Sequence, residues 1–207
     1  MNQIAQFTAA EVAFVLQEPL RLVKKALDAG PVRPMLARKA GAPVRTIAWP
    51  DLFYLFAVRA LREELTPKAR VEFYEALQRG PLDRRREIQF GRLRVAVGDL
   101  IDEVESRTTK LAELVDKVEF RADGEALLKD TGIEVYRIAA LLDGGLTVED
   151  VLADYPSLTP GRIESAKAYA VAHPKPGRPY PRTTAKRALR DAGLEALDEA
   201  LGDDVSE

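Results

Sequence analysis

The chain has 207 residues and a mass of 22.9 kDa, room for one large domain or two small ones. Its 46% hydrophobic and 31% charged residues belong to a globular protein and exclude a disordered or membrane-embedded chain. The absence of cysteine excludes disulfide frameworks, thiolate zinc sites and cysteine nucleophiles, and the single His173, a surface histidine before Pro174, cannot build a histidine-rich metal site. No run approaches the roughly 20 apolar residues of a spanning helix, and MNQIAQFTAAE lacks the layout of a signal peptide, so a cytoplasmic protein is expected. The net charge of −2 conceals an asymmetry. Residues 1–100 carry 17 Lys+Arg against 11 Asp+Glu, a balance of +6, and residues 101–207 carry 14 against 22, a balance of −8. The two halves are therefore built for different partners, a polyanion for the first and a basic or neutral one for the second.

In chain order, Thr8 and Glu11 in FTAAEVAFVLQ have capping-box spacing and predict a helix with Val12, Val15 and Leu16 on one face. Pro19 then opens a second helix, PLRLVKKALDAG, stopped by Gly30-Pro31. Two short helices across a tight turn form a helix-turn-helix candidate. A hairpin is predicted next, with strands near 33–38 and 44–49 around Lys39-Ala40-Gly41-Ala42-Pro43. Asp51 is read as the cap of LFYLFAVRALREEL, and Thr66-Pro67 as the start of ARVEFYEALQ, stopped at Gly80-Pro81. Phe53, Tyr54, Phe56, Phe73 and Tyr74 fall at helical spacing and are assigned to the core. This order is that of a winged helix-turn-helix domain over residues 1–81.

Residues 82–117 read as a linking strand or hairpin around Ile88, Phe90, Leu93 and Val95, then a long helix with Leu100, Ile101, Val104, Leu111, Leu114 and Val115 at helical spacing, a candidate dimer interface. Arg84, Arg85 and Arg86 read as a solvated linker, with a phosphate clamp as the alternative. Asp99, Asp102, Glu103 and Glu105 are taken as a solvated helix face, with no second acidic cluster or positioned base to make them catalytic.

A second unit is predicted over 118–174. VEFRADGEALLKDT gives two short strands around Asp123-Gly124, and three helices follow: IEVYRIAALLDGG, VEDVLADY capped by Thr147, and GRIESAKAYAVAH capped by Thr159 with Pro160 at its first position. Residues 175–207 form a tail. PKPGRPYP must be extended, and Thr183 to Leu201 is helical in pattern with a break at Gly193.

The run LLDGGLTVEDVLADYPSLT over residues 141–159, followed by a helix containing Ala168-Tyr169-Ala170, resembles a small domain of unknown function found in VapB-like antitoxins, which pair with PIN-type ribonuclease toxins. Where that family reads K-G-T-R-I, this chain has Lys129-Asp130-Thr131-Gly132-Ile133, without the arginine and with the glycine moved. The resemblance implies a three-helix, helix-turn-helix-like domain, a dimer that binds its own operator, and a C-terminal tail that wraps the toxin.

Two candidate surfaces follow. Arg21, Lys24 and Lys25 share one face of the second helix, opposite Leu20, Val23 and Leu27, a face fit for a major groove; Arg33, Arg38, Lys39 and Arg45 on the hairpin can reach flanking phosphates. The alternative is an ordinary solvated basic face. In the tail, Tyr180, Arg182, Lys186, Arg187 and Arg190 precede an acidic end, and Leu189, Leu194, Leu197 and Leu201 form an apolar stripe that a partner can cover. If the partner is a metal-dependent ribonuclease, an arginine among Arg182, Arg187 and Arg190 can pair with its carboxylate cluster. The alternative is a tail packed on its own domain. The expectation is a mainly α, non-enzymatic protein of two helix-turn-helix-like domains plus tail, without metal or cofactor. Its expected function is that of an antitoxin that neutralises a cognate ribonuclease, represses its own operon and forms a homodimer without membrane contact. The rivals are a dedicated helix-turn-helix transcription regulator and a protein-binding adaptor that never touches DNA.

Overall fold

The computed structural model describes residues 6–39, 42–80, 86–175, 180–184 and 187–188. The chain is mainly α and divides into two units, residues 1–115 with 171–173 and residues 116–170 with 174–207. Among the described residues no helix is long and apolar enough to cross a membrane.

In the first unit, β1 (Gln6–Thr8) runs into α1 (Ala9–Leu16), which starts where its capping box places it. The Thr8 hydroxyl accepts from the Glu11 amide at 3.3 Å and the Glu11 carboxylate accepts from the Thr8 amide at 2.6 Å. Gln17 ends the helix in the left-handed region (φ 54°), and the Glu18 amide returns to the Ala13 carbonyl at 3.0 Å, so α2 (Leu20–Ala29) begins only three residues later. Two arginines from elsewhere in the unit satisfy the last carbonyls of α1. Arg59 donates to the Leu16 carbonyl and pairs with Glu18 at 2.9 Å. Arg107 donates to the Val15 carbonyl at 2.9 Å, pairs with Glu103 at 2.7 Å and lies 5.1 Å from the Phe56 ring centre.

The hairpin of β2 (Met35–Lys39) and β3 (Ala42–Ala48) is tighter than the sequence pattern predicts, and β1 adds antiparallel to β3, giving the order β1-β3-β2. Strand β1 is too short to register in the alternation of the sequence; it is made by its pairing, Phe7 opposite Ile47 and Gln6 hydrogen-bonded to Thr46 at 3.2 Å.

Helix α3 (Trp49–Ala60) starts directly from β3, with Ala48 at the cap and Pro50 in the first turn. Asp51 is thus not its cap, because the strand runs into the helix and leaves no separate capping residue. Its carboxylate instead accepts from the Tyr74 hydroxyl at 2.9 Å. The helix also stops short of Leu65: Arg70 on α4 (Pro67–Leu77) reaches back to the carbonyls of Arg62 at 2.9 Å and Leu65 at 3.0 Å, groups that the ended helix leaves open. Thr66 caps α4 through the Ala69 amide at 3.2 Å, with Pro67 at the first position, as the sequence predicts.

The stretch read as a link belongs to this same unit. The hairpin of β4 (Glu87–Phe90) and β5 (Leu93–Ala96) turns at Gly91 (φ 55°), and α5 (Gly98–Asp116) follows. Ile88, Phe90, Val97, Ile101, Val104 and Leu111 enter the core, Leu114 is buried, and Val115 near the end of α5 remains 40% exposed. Phe73 is the hub of the aromatic packing, 6.4 Å from Tyr54 and 5.4 Å from Phe90, with Tyr54 edge-on to Tyr74 at 4.9 Å and Trp49 stacked on Phe53 at 5.6 Å.

The second unit opens with β6 (Val118–Phe120) paired antiparallel to β7 (Ala126–Leu128) across Asp123-Gly124, Gly124 supplying the left-handed turn position (φ 83°). Three helices follow: α6 (Val135–Asp143), α7 (Val148–Asp154) with a Thr147/Asp150 capping box, and α8 (Pro160–Ala172), where the Thr159 hydroxyl accepts from the Arg162 amide at 3.4 Å. Leu128, Val135, Ile138, Leu141, Val151, Leu158, Ile163 and Ala166 are buried, and Tyr136 and Tyr169 lie 6.2 Å apart.

Two substitutions test this account of the first unit. Arg107→Ala strips a donor from a part-buried carbonyl and should cost about 1–3 kcal/mol in urea unfolding. Tyr74→Phe removes one side-chain bond and should cost about 1 kcal/mol. Burial first, and then donation to Asp51, push the Tyr74 phenol up to about 12. Because the folded value lies above the ordinary one near 10, the phenol's contribution is complete below pH ~10 and lost as pH rises through about 12. A pH titration of stability should show this alkaline loss in the wild type and a smaller one in Tyr74→Phe.

Candidate functional site

Two surfaces gather the side chains singled out in the sequence. In the first unit, α2 turns Val23 and Leu27 into the core, and the period of the helix then puts Arg21, Lys24 and Lys25 outward, all exposed. These three and Arg38 form no ion pair among the described residues. The strand register brings Leu36 opposite Arg45 and Arg38 opposite Pro43, so one face of the hairpin carries two arginines and an isolated leucine, all exposed; Leu36 is 78% accessible.

Arg45 ties this face to α2 through Asp28 at 2.8 Å. Arg33 is exposed but spends its guanidinium on the carbonyls of Gly30, at 2.9 Å, and Val32, at 3.3 Å, where α2 ends. Lys39 ends β2, but its side chain lies outside the described residues. The exposed Leu36 was missed by sequence reading, since a leucine in an alternating strand is ordinarily assigned to the core.

Carboxylates of the acidic run on α5 are taken up by arginines: Asp102 by Arg86 at 2.9 Å and Glu103 by Arg107 at 2.7 Å. Among the described residues no group of three or more His, Asp or Glu side chains is placed to hold a metal ion.

The tail surface lies on the second unit. Lys175 leads into it, with its ammonium bonded to the Glu125 carboxylate and, at 3.1 Å, to the Tyr180 hydroxyl, 4.7 Å from the Tyr180 ring centre and 5.6 Å from that of Tyr136. Burial opposes the charge on Lys175, but the bonds to Glu125 and Tyr180 outweigh it and raise its pKa; burial drives the Tyr136 phenol up to about 12.

Beyond Tyr180 the chain lies against α6 and α7. Arg137 donates to the carbonyls of Pro181 and Thr183, each at 3.2 Å. Thr184 is buried, bonds to Asp154 at 3.4 Å, and accepts from the Arg187 amide at 3.3 Å and, through its carbonyl, from the Ala188 amide at 2.9 Å. Its hydroxyl and carbonyl thus accept in the manner of an N-cap.

Arg187 pairs with Asp150 at 2.8 Å and Asp154 at 3.4 Å. The Asp150 carboxyl is held below the usual carboxylate range, first by the Thr147 amide and then by Arg187 and the Thr147 hydroxyl. Arg182 is exposed. Lys186, Leu189, Arg190, Leu194 and Leu197, assigned to the tail surface from sequence, lie outside the described residues. Sequence reading missed Arg137, Gly144, Asp150 and Asp154 as the groups that meet the tail; only the Asp150 spacing to Thr147 left a sign, and that sign reports a helix cap.

A family model described as a protein of unknown function (DUF433) matches residues 120–170. No curated protein matches the chain. Among solved structures, the crystal structure of Rv2018 from Mycobacterium tuberculosis is similar at 16% identity and a TM-score of 0.27, over 77% of this chain and 96% of that one.

Proposed function

We propose that the protein is the antitoxin of a type II toxin-antitoxin pair, a cytoplasmic homodimer that represses its own operon through the first unit and neutralises a cognate PIN-like ribonuclease through its tail. The observation that carries the DNA half is the row of exposed cations Arg21, Lys24 and Lys25 on α2, without ion-pair partners among the described residues, beside Arg38 and Arg45 on the adjoining hairpin. In this reading α1 and α2 are a helix-turn-helix, α2 enters the major groove and the hairpin is its wing, with the cations neutralising phosphates on either side.

The toxin half draws on the likeness of residues 141–159 to VapB-like antitoxins and on the arginines of the tail, which match a carboxylate-lined nuclease site in charge. A second reading, a dedicated transcription regulator without a toxin, is favoured by one observation: Arg187 already has two carboxylates of its own unit as partners.

Binding to the DNA upstream of the gene tests the first half. Lys24→Ala with Lys25→Ala should weaken it uniformly across sequences and reduce the salt slope by about 2; equal binding by the double variant would sink the DNA reading. For the second half, the neighbouring ribonuclease should co-purify with the full chain and not with residues 1–175. Retention by the shortened chain would remove neutralisation from the tail.

A further inference from the structure

Arg187, one of the tail residues proposed to meet a partner, is already engaged by carboxylates of its own unit. We propose that residues 180–184 and Arg187 form an autoinhibitory latch, in which Arg187 is held by Asp150 and Asp154 and must be released before it can engage the carboxylates of a partner. This rests on the antitoxin reading for the identity of the partner, but the latch itself is a contact within one unit. Asp150 and Asp154, one turn apart on α7, offer Arg187 in cis the paired carboxylates that a nuclease centre offers in trans.

The character of the contact makes it releasable. Of the described residues from 180 to 188, only Thr184 is buried, so little apolar area holds the segment down. Cohesion comes from the two Arg137 bonds to backbone carbonyls, the Thr184 bond to Asp154 and the Arg187 pairs, all polar and at least partly open to water. Ion pairs in such a setting are individually weak and screened by salt. Closure also depends on close approach: the backbone of Arg182 lies over Gly144, so that a Cβ there would overlap the Arg182 carbonyl oxygen and stand 2.7 Å from the Arg182 Cβ. Gly144 itself has ordinary helical angles (φ −78°, ψ −4°), which alanine adopts without strain. Glycine at this position serves the segment that crosses it rather than the helix it ends.

A latch of this kind lowers apparent affinity by the fraction of molecules that are open. Two variants open it by unrelated means, Gly144→Ala by steric exclusion and Asp154→Asn by removing a charge at constant size. In the full-length protein, amide hydrogen exchange of Arg187 and Ala188, whose N–H groups are bonded to Thr184, should accelerate about tenfold in both variants and in wild type at high salt, while the Val151 amide within α7 stays unchanged. Exchange equal to wild type in both variants would overturn the latch. With the cognate ribonuclease, both variants should bind about tenfold more tightly than wild type; unchanged or weaker binding by a variant whose amides have opened would overturn the autoinhibitory role. If neither wild type nor variant binds the ribonuclease, the antitoxin reading falls and takes the ribonuclease as partner with it, whereas the exchange measurement decides the latch without any partner.

Discussion

The end of α1 is the constraint on which the first unit turns. A helix eight residues long leaves its final carbonyls open, and the sharp left-handed turn at Gln17 gives the chain no room to cover all of them locally. Arg59 from α3 and Arg107 from α5 do so instead, from 43 and 92 positions away. By satisfying backbone groups that would otherwise be stranded, they fix where α1 stops and hence the direction in which α2 leaves. The outward face of α2 is therefore set by two cations that it does not contain. Phe73, packed between Tyr54 and Phe90, holds α3, α4 and the β4–β5 hairpin against one another and gives that arrangement a stiff backing. A surface carried on such a frame meets a ligand with its orientation already fixed, which spares the entropy of ordering a loose basic arm.

The second unit is assembled by more local means. Among the described residues its strands are three residues each, α7 is seven residues long, and capping hydroxyls at Thr147 and Thr159 begin α7 and α8. The turn over residues 129–133 is likewise held by its own residues. Asp130 and Gly132 both take positive φ, 62° and 67°, with Thr131 between them donating to the Leu128 carbonyl at 2.7 Å and accepting from the Ile133 amide at 3.1 Å. Aspartate tolerates the left-handed region better than most residues with a side chain, so the chain can turn at Asp130 as well as at Gly132.

What was legible in the sequence was what neighbours in the chain decide. The capping box at Thr8, the cap at Thr147, the Thr66-Pro67 start and the Asp123-Gly124 hairpin all depend on near neighbours in the chain, and all are found in the fold. Distant decisions were not legible. Asp51 has the look of a cap until Tyr74 claims its carboxylate; β1 exists only because β3 lies beside it; Arg137 and Gly144 are unremarkable until residues 181–184 cross them. For the candidate surfaces the same division holds. The α2 cations could be grouped by helical period alone, whereas the environment of Arg187 required knowing that α7 stands within its reach. Charge summed by halves pointed to a basic first half, but it could not tell which cations, such as Arg33 and Arg59, are spent on backbone carbonyls.

Strand β2 lies at the edge of its sheet, paired to β3 on one side and with no strand beside it on the other among the described residues. It displays Met35 and Leu36 to solvent, the composition of an edge that invites pairing with another copy. Arg38, exposed on the same strand, and Arg33 just ahead of it are the charges that guard that edge, since two copies meeting strand to strand would bring like charges together. These cations are thus the gatekeepers of colloidal stability, and whatever neutralises them opens that edge to strand pairing.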